Sequence, residues 1–386
     1  MILYEPKRGV DRILSVSQPK ANKNNSFQAL PNPRGKPPYH LKLDKVLSSD
    51  QINSIFDSGG ISFHIVGNTG GREKKECQQI VKTAIEGDFE NEENISKKPA
   101  FCYHLGDIVY RYGEANEYYP QFYEPYAHYP APIFAIPGNR DADVRPGSNK
   151  KSSLSAFVDN FCAESIEVTQ DACDINRPAM IQPNVYWTLE APFLTIIGLY
   201  SNVPDSGYFD NEQIDWFKKE LSNASNEKAL IVCVHHSPFS ADIRHSGSVN
   251  TLNMLDSTFR DSRRLPDVIL SAHVRNYQRF TRKLRDRQIP YIIVGNGGHW
   301  KLDYMQNHFF NNKIKFPYNL PDRTDLSLEN YIDDRHGFMR IYVTPNKLIG
   351  KQFVVSRPHE PWRKDAKQID SFKLDLETHQ VKNKKK

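Results

Sequence analysis

The stretch FCYHLGDIVY, residues 101–110, is an apolar run that ends abruptly in a glycine and an aspartate. Six other short apolar runs end in a similar way, in Gly, Asn, Asp or His: ISFHIVGNTGG (61–71), APIFAIPGNRD (131–141), FLTIIGLYSN (193–202), ALIVCVHHSP (229–238), DVILSAHVRNY (267–277) and IPYIIVGNGGHW (289–300). Runs of this length and composition are typical of strands that are buried on both faces.

Helix-like segments separate several of these runs. In DNEQIDWFKKELSNA (210–224), Ile214, Phe217 and Leu221 fall on one helical face, and Asp210 stands where a helix N-cap is expected. The alternation of buried strands and helices predicts an α/β fold. Because strand ends meet at one edge of such a sheet, the polar residues that follow the strands are expected to share a site: Asn68, Asp107, Tyr110, Asn139, His236 and His273. Their oxygen and imidazole donors suit zinc, iron or manganese.

The composition argues against several classes of protein. The longest apolar runs are far shorter than the roughly 20 residues that a membrane span needs, and the charged N-terminus lacks the pattern of an export signal, so we expect a cytoplasmic location. The cysteine count of 5 is odd, and Cys102 and Cys233 lie in apolar runs, which predicts free thiols. The net charge of +5 comes from residues 1–43 and 381–386, so nucleic-acid binding by the globular part is not expected.

The same distribution of charge and of proline predicts three parts. Residues 1–58 form an N-terminal basic, Pro-rich arm, residues 59–376 form the globular domain, and residues 377–386 form a basic C-terminal tail. The sequence leaves the oligomeric state open.

The series GNTGG, GDIVY, GNRD, HHSP and AHVRNYQR resembles the five ordered motifs of the calcineurin-like metallophosphoesterases, in the variant shared with purple acid phosphatases. In that family the motifs read GD-x-G, GD-x-x-Y, GNH-[DE], H-x-P and GH-x-H. The resemblance covers roughly residues 59–355, and HGFMRIYVTP (336–345) resembles the strand that closes the family's fold. It implies a four-layer α/β/β/α sandwich of two mixed β-sheets with a dinuclear metal centre at the strand ends. The implied chemistry is hydrolysis of phosphate mono- or diesters.

The resemblance also implies a role for each matching residue. Asp107 corresponds to the carboxylate that bridges both metals. The remaining protein ligands of the second metal correspond to Asn139, His236 and His273. The first metal would be bound by an aspartate, by Tyr110 and by the second histidine of GH-x-H.

Three catalytic positions depart from the family's motifs. The aspartate of the first metal is Asn68, the second histidine of GH-x-H is Arg275, and the histidine of GNH-[DE] is Arg140. An amide in place of a carboxylate and a permanent cation in place of an imidazole remove both the affinity and the room for the first metal. We therefore expect one divalent transition metal (Mn, Fe or Zn) rather than two, with Asn68 and Tyr110 at most weak ligands.

The two arginines have alternative interpretations. The change of ligands adds positive charge where a cation is lost, so Arg275 could stand in for the first metal and, together with Arg140, bind the oxygens of a phosphate ester. Alternatively, both arginines pair with Asp107, Asp141 or Asp143 and only fill the site.

Further predictions concern the surroundings of the site. Arg177, Gln182 and Asn276 are predicted substrate contacts, and His235 is expected on the opposite side of its strand from His236.

Two classes of function remain open on this reasoning. In the first, the protein is a metal-assisted phosphoric-ester hydrolase in which Asp107, Arg140 and Arg275 act in catalysis. In the second, it is a pseudo-phosphatase that binds a phosphorylated ligand or a protein partner in the old pocket. A third reading, nucleic-acid binding through the basic ends, predicts an affinity that collapses as the salt concentration rises.

Overall fold

The computed structural model describes residues 14–15, 30–94, 97–143, 153–203, 207–307, 309, 314–357, 359–361 and 366–383. The strands are β1 (Leu14–Ser15), β2 (His40–Lys42), β3 (Ile61–Val66), β4 (Pro99–His104), β5 (Ile133–Ala135), β6 (Trp187–Ala191), β7 (Leu194–Leu199), β8 (Ala229–His236), β9 (Gly247–Ser248), β10 (Val268–Ala272), β11 (Tyr277–Leu284), β12 (Arg287–Val294), β13 (Tyr318–Leu320), β14 (Arg323–Ile332), β15 (Gly337–Thr344), β16 (Lys347–Val354), β17 (Lys367–Asp375) and β18 (Val381–Asn383). The helices are α1 (Ser49–Asp57), α2 (Glu76–Glu90), α3 (Asn139–Ala142), α4 (Ser155–Phe161), α5 (Asn211–Asn223) and α6 (Val249–Ser262). Short 3₁₀ or π-helical turns cover Leu43–Lys45, Ala115–Glu117, Tyr119–Tyr123 and Gln170–Ala172.

Two mixed β-sheets form the centre of the protein. The larger has nine strands in the order β13-β14-β11-β12-β10-β8-β7-β6-β2, and the smaller has seven in the order β18-β17-β16-β15-β3-β4-β5. The neighbours β3, β4 and β5 run parallel in the smaller sheet, as do β7, β8, β10 and β12 in the larger one. The prediction of two mixed sheets is confirmed, and the 336–345 segment supplies β15, which pairs with both β3 and β16.

The two sheets pack face to face, with helices on their outer sides. Tyr103 of β4 stacks on Trp187 of β6 at a ring-centroid distance of 6.0 Å, and Phe134 of β5 meets the same indole at 5.6 Å. Helix α2 packs on β15, while α5 packs on β7 and alongside α6. This arrangement is the four-layer α/β/β/α sandwich that the motifs imply.

The sequence patterns account for the individual elements. Every residue of β7 and β8 is buried, as is typical of central parallel strands with a layer on each side. Helix α5 begins after Asp210, whose Oδ1 accepts a hydrogen bond from the N–H of Gln213 at 2.7 Å, and Phe217 and Leu221 are buried on its inner face. The N-cap and the apolar face predicted for this helix are therefore confirmed.

The chain ends contribute strands to both sheets. Within the predicted arm, β2 pairs with β6 and α1 starts with a capping box at Ser48 and Gln51. Within the predicted tail, β18 pairs with β17. Residues 1–13, 16–29 and 384–386 of these two segments lie outside the described residues, and the domain boundaries stay predictions.

Two further sequence-based expectations concern thiols and membranes. All five cysteines are free thiols, and four of them are buried, as predicted. Among the residues that the structure describes, no helix combines the length and the apolar character needed to span a membrane.

Candidate metal centre and active site

Polar side chains follow strands of both sheets where the two sheets meet at one edge. Asn68 comes after β3, Asp107 after β4 and His273 after β10, and their φ angles are 54°, 58° and 64°. Among residues other than glycine, Asn, Asp and His adopt this left-handed conformation most readily. The chain therefore turns directly after each strand and presents these side chains at the shared edge.

Two glycines allow the loops after β4 and β5 to touch. A Cβ atom on Gly138 would lie 2.3 Å from Oδ1 of Asp107, and one on Gly106 would lie 2.5 Å from the backbone nitrogen of Gly138. The carboxylate of Asp141 then accepts hydrogen bonds from the backbone N–H groups of Asp107, Ile108, Val109 and Gly138 at 2.8–2.9 Å. This contact fixes Asp107 and Asn139 relative to each other.

The residues predicted to bind the second metal lie together. Asn139 Oδ1 accepts a hydrogen bond from Nδ1 of His273 at 3.1 Å, and the rings of His273 and His236 are 4.4 Å apart. Oδ1 of Asp107 accepts the backbone N–H of Arg140 at 3.0 Å. The candidate ligand atoms of His235, His236 and His273 all lie within 4.8 Å of one another.

His235 belongs to this cluster, so the prediction that it faces away from His236 was wrong. Between β8 and β10 the pairing steps from Cys233 with Leu270 to His236 with Ala272, so β8 advances three residues while β10 advances two. This β-bulge interrupts the alternation of side chains and turns both histidines toward the site. The Nε2 atom of His235 lies 3.3 Å from Oδ1 of Asp107.

The donor atoms fit a bound cation. Nδ1 of His235 donates a hydrogen bond to the carbonyl of Leu105 at 2.7 Å, so Nε2 of a neutral ring carries a lone pair. This lone pair faces the carboxylate of Asp107, and two acceptors repel each other unless a proton or a cation lies between them. Their separation matches that of two ligands on one tetrahedral ion, roughly 3.3 Å for bonds of about 2 Å. Nε2 of His236 is buried and has no hydrogen-bond partner among the described residues.

The protonation states also suit metal ligation. Burial lowers the pKa of His236 and of His273 well below the usual value, and each is lowered further by the neighbouring histidines, so both imidazoles are neutral. Burial would raise the pKa of Asp107, but the nearby His235 and His273 and the N–H of Arg140 lower it far below its usual range. The site thus offers an ionised carboxylate beside the neutral imidazoles of His236 and His273. Burial would lower the pKa of His235, but the neighbouring Asp107 and the carbonyl of Leu105 raise it above its usual value.

A hydrogen-bonded triangle joins Asn68, Tyr110 and Asp107, the residues that the motif resemblance assigns to the first metal. Nδ2 of Asn68 donates to Oδ2 of Asp107 at 3.0 Å and to the hydroxyl of Tyr110 at 3.1 Å, and this hydroxyl donates to the same Oδ2 at 2.7 Å. Burial, with the charge of Asp107 next to it, raises the pKa of Tyr110 well above its usual value, so its proton stays in place. These three hydrogen bonds form without an ion, while Oδ1 of Asn68 is buried and has no hydrogen-bond partner among the described residues.

Arg275 turns to an acidic partner that lies far from it in the sequence. The carboxylate of Asp303 accepts three hydrogen bonds from Arg275: from its backbone N–H at 3.1 Å, from Nε at 3.0 Å and from Nη2 at 3.3 Å. Asp303 is fully buried, while the side chain of Arg275 is 18% exposed. Sequence reasoning missed Asp303, because it stands in an irregular segment outside all motifs.

Arg140 lies at the mouth of the site. Its Nη1 donates to Asp143 at 3.1 Å, its guanidinium lies 6.0 Å from the ring centre of Tyr110, and its side chain is 43% exposed. The pairing with Asp143 is one of the alternatives that the sequence left open. The guanidinium is held over the phenol ring next to Asp107 and is half in solvent.

His245 was also missed by sequence reasoning. Its ring packs edge-on against His273 at 5.0 Å, and its Nδ1 lies 3.2 Å from Oδ2 of Asp303 and 3.8 Å from Oδ1 of Asp242. The backbone N–H of His245 donates to Asp242 at 2.7 Å, which anchors this turn. The imidazole of His245, 27% exposed, therefore stands at the edge of the cluster.

Three predicted substrate contacts have other partners in the structure. The guanidinium of Arg177 donates to the backbone carbonyls of Tyr126, Tyr129 and Ala131. Gln182 pairs through its side chain with both backbone groups of Ala135 at 2.8 and 2.9 Å. Asn276 donates to Asp242, to the carbonyl of Asp303 and to Tyr331. All three are buried and bonded to the protein itself.

The sandwich of two mixed sheets and the histidine–carboxylate cluster at its edge define a metallophosphoesterase-type domain. The sequence pattern of the calcineurin-like phosphoesterases matches residues 77–277, which is more than half of the chain. The chain therefore belongs to the calcineurin-like phosphoesterase family. A search of curated proteins by sequence found no match.

Solved structures share the fold at low sequence identity. The purple acid phosphatase PPD1 from yellow lupin (Lupinus luteus) seeds superposes with a TM-score of 0.55 at 14% identity, covering 81% of this chain and 53% of its own. This chain thus spans about half the length of the lupin protein. GAP50, described as the anchor in the inner membrane complex of Plasmodium, gives a TM-score of 0.53 at 15% identity and covers 80% of this chain and 88% of its own.

Proposed function

We propose that this protein is a phosphoric-ester hydrolase that works with a single divalent transition metal at the family's second position. The ligands would be Asp107, Asn139, His236 and His273, with His235 as a further donor. The observation that carries the proposal is the buried Nε2 of His236, which has no hydrogen-bond partner in the described part of the chain although it stands in a cluster with an ionised carboxylate. A buried imidazole nitrogen left without a partner is costly unless a cation binds to it.

We propose one ion rather than two because of the residues that the motifs assign to the first metal. There the donor side of the Asn68 amide points at Asp107 and Tyr110, and an amide N–H repels a cation. Arg275 replaces a ligand by a permanent positive charge, whose pKa is raised further by Asp303, Tyr110 and Asp107 although burial alone would lower it.

The chain's own residues can bind and orient a phosphate ester. A divalent ion at the second position would polarise a phosphoryl oxygen and lower the pKa of water. The guanidinium of Arg140 lies 6.0 Å from the ring centre of Tyr110, and that of Arg275 lies next to His299, whose ring packs against Tyr110. Both groups can donate to the remaining phosphoryl oxygens. Arginine cannot supply a proton at neutral pH, so we assign that step to His245, whose Nδ1 faces Asp303 and whose Nε2 can protonate the leaving oxygen.

The role of His245 predicts a dependence on the leaving group. Replacing His245 by Asn should slow hydrolysis of phenyl phosphate by about a hundredfold but affect p-nitrophenyl phosphate much less, because nitrophenolate leaves without a proton. The measurement is kcat for both esters in the wild type and in the variant. An equal loss for both esters would show that His245 does not act as the proton donor.

The stoichiometry of metal binding tests the proposal directly. The apo protein, titrated with Mn, Fe or Zn ions, is expected to bind one equivalent tightly and to hydrolyse aryl phosphates or phosphodiesters only in the loaded form. Equilibrium dialysis with elemental analysis gives the number of ions, and the turnover rate is followed on the same samples. Binding of two equivalents would contradict the single-metal site, and a loaded protein without turnover would contradict the hydrolase.

A pseudo-phosphatase is the second candidate, and the pairing of both arginines favours it. Arg275 is bound to Asp303 and Arg140 to Asp143, so each has an acidic partner before any ligand arrives. GAP50, which has a similar fold, is described as an anchor and not as a phosphatase. Phosphate binding without turnover would favour this candidate, in which the pocket retains a phosphorylated ligand or partner.

A further inference from the structure

Asp303 holds Arg275 in an orientation that suits an anion. It binds Nε and Nη2, which form one edge of the guanidinium fork, at 3.0 and 3.3 Å. The remaining amino group, Nη1, lies 3.4 Å from Nδ1 of His299, at the long end of a hydrogen bond. A guanidinium bound by one edge still presents the other edge to an acceptor.

The other edge of Arg275 is linked to Tyr110 through His299. The ring of His299 packs against Tyr110 at 4.6 Å, and the hydroxyl of Tyr110 donates to Asp107 at 2.7 Å. Nη1 of Arg275 is therefore on the side of the Tyr110–Asp107 pair, while Asp303 holds the opposite side of the fork.

Asp303 has partners besides Arg275, and its Oδ2 also lies 3.2 Å from Nδ1 of His245. Its backbone N–H donates to the carbonyl of Arg275 at 3.1 Å, and its own carbonyl accepts the amide of Asn276 at 2.9 Å. Its side chain is fully buried, so water does not compete for the carboxylate. A carboxylate in this position lets a fully charged arginine stay beside a metal site with little freedom to rotate.

We propose that Asp303 is a positioning residue for phosphate binding: it clamps Arg275 by the Nε–Nη2 edge, so that Nη1 donates to a phosphoryl oxygen of the substrate. The inference rests on the proposed function in that it needs a phosphate group in the pocket, but it does not need turnover. It explains why Arg275 is paired with a buried acid, since an arginine without this partner would lose the freedom of several rotamers when it binds the phosphate.

A double-mutant cycle tests the clamp. The dissociation constant of inorganic phosphate is measured by titration calorimetry on the metal-loaded full chain for the wild type, Asp303→Asn, Arg275→Ala and the double variant. We expect each single change to weaken phosphate binding by about tenfold, the loss of one charge-assisted hydrogen bond. Because Asp303 acts through Arg275, Asp303→Asn should have less than about a twofold effect once Arg275 is alanine.

A matched control separates positioning from stability. Asp370 accepts hydrogen bonds from the Nε–Nη2 edge of Arg279, at 2.7 Å from Nε and 3.0 Å from Nη2. These bonds involve none of the residues of the candidate metal centre. Asp370→Asn should lower the unfolding temperature and leave phosphate binding unchanged. Asp303→Glu, which keeps the charge, should recover part of the lost affinity if the clamp is electrostatic.

The phosphate-binding measurements test the clamp, and the turnover measurements test the hydrolase activity. Unchanged phosphate affinity in folded Asp303→Asn, or equal losses in both backgrounds of the cycle, would overturn the clamp, as would a wild type that does not bind phosphate. Coupled losses in a protein that does not hydrolyse esters would support the clamp and contradict the hydrolase. If the protein hydrolyses esters but the effects of the Asp303 and Arg275 substitutions on phosphate binding are independent, the hydrolase proposal stands and the clamp is overturned.

Discussion

Replacing Asp107 by Asn is expected to abolish tight metal binding and to lower phosphate-ester hydrolysis by a factor on the order of a thousand. Asp107 is the carboxylate that, among the described residues, meets both groups of side chains: Oδ1 lies next to His235, and Oδ2 accepts from Asn68 and Tyr110. An amide of the same size keeps the packing but removes the negative charge, and it places an N–H against a metal or against Asn68. The measurements are metal equivalents by elemental analysis and kcat/KM on an aryl phosphate.

A half-buried aspartate beside another histidine provides the control. Asp88 Oδ2 also meets a buried histidine, at 3.0 Å from Nε2 of His64, and additionally binds Arg340. Asp88→Asn should reduce stability without changing metal content or turnover. If Asp107→Asn retains one equivalent of metal and full activity, the cluster at the strand ends is not the active site.

The fold could be predicted because its central strands are buried on both faces. Such strands stand out as apolar runs, and the residue at which each run stops marks the edge of the sheet. Asp107, Asn139 and His273 come within four residues of the ends of β4, β5 and β10, so order along the chain was enough to group them. The structure brings these three together with His236, as the sequence predicted.

The remaining parts of the site depend on contacts that no local pattern shows. His235 was assigned to the wrong side because strict alternation assumes a regular strand, and the bulge against β10 breaks it. His245 and Asp303 stand in irregular segments that meet through the backbone bond from Ile243 to Tyr304 at 2.9 Å. Neither segment has a helical or strand-like pattern of apolar residues from which the contact between them could be inferred.

Long polar side chains were the other source of difficulty. Arg177 has the chemistry of a phosphate contact, yet its donors serve three backbone carbonyls of the Tyr126–Ala131 loop. A guanidinium suits carbonyl and phosphate oxygens equally well, so residue type alone does not distinguish the two. The partner is decided by which loop packs against the side chain.

Restoring a two-metal centre should require three substitutions, because Arg275 has an acidic partner. Asn68→Asp and Arg275→His return the family's ligands at the first position. The second of these changes strands the fully buried carboxylate of Asp303 without its guanidinium, and breaking a buried ion pair from one side costs about 3–5 kcal/mol of stability. Adding Asp303→Asn removes the uncompensated charge, so the triple variant should be more stable than the double one in urea unfolding.

The triple variant is expected to bind two metal equivalents and to hydrolyse aryl phosphates at least about tenfold faster than the wild type, since a second ion can bind both attacking and leaving oxygens. Asn68→Asp alone should stay at one equivalent, because the guanidinium of Arg275 still interacts with Tyr110 and Asp107 there. A second equivalent in that single variant would show that Arg275 does not exclude the first metal. If the triple variant binds two metal ions but does not turn over faster, Arg140 limits the rate, because it stands where the family's motif has a histidine. Adding Arg140→His to the triple variant would then test this explanation.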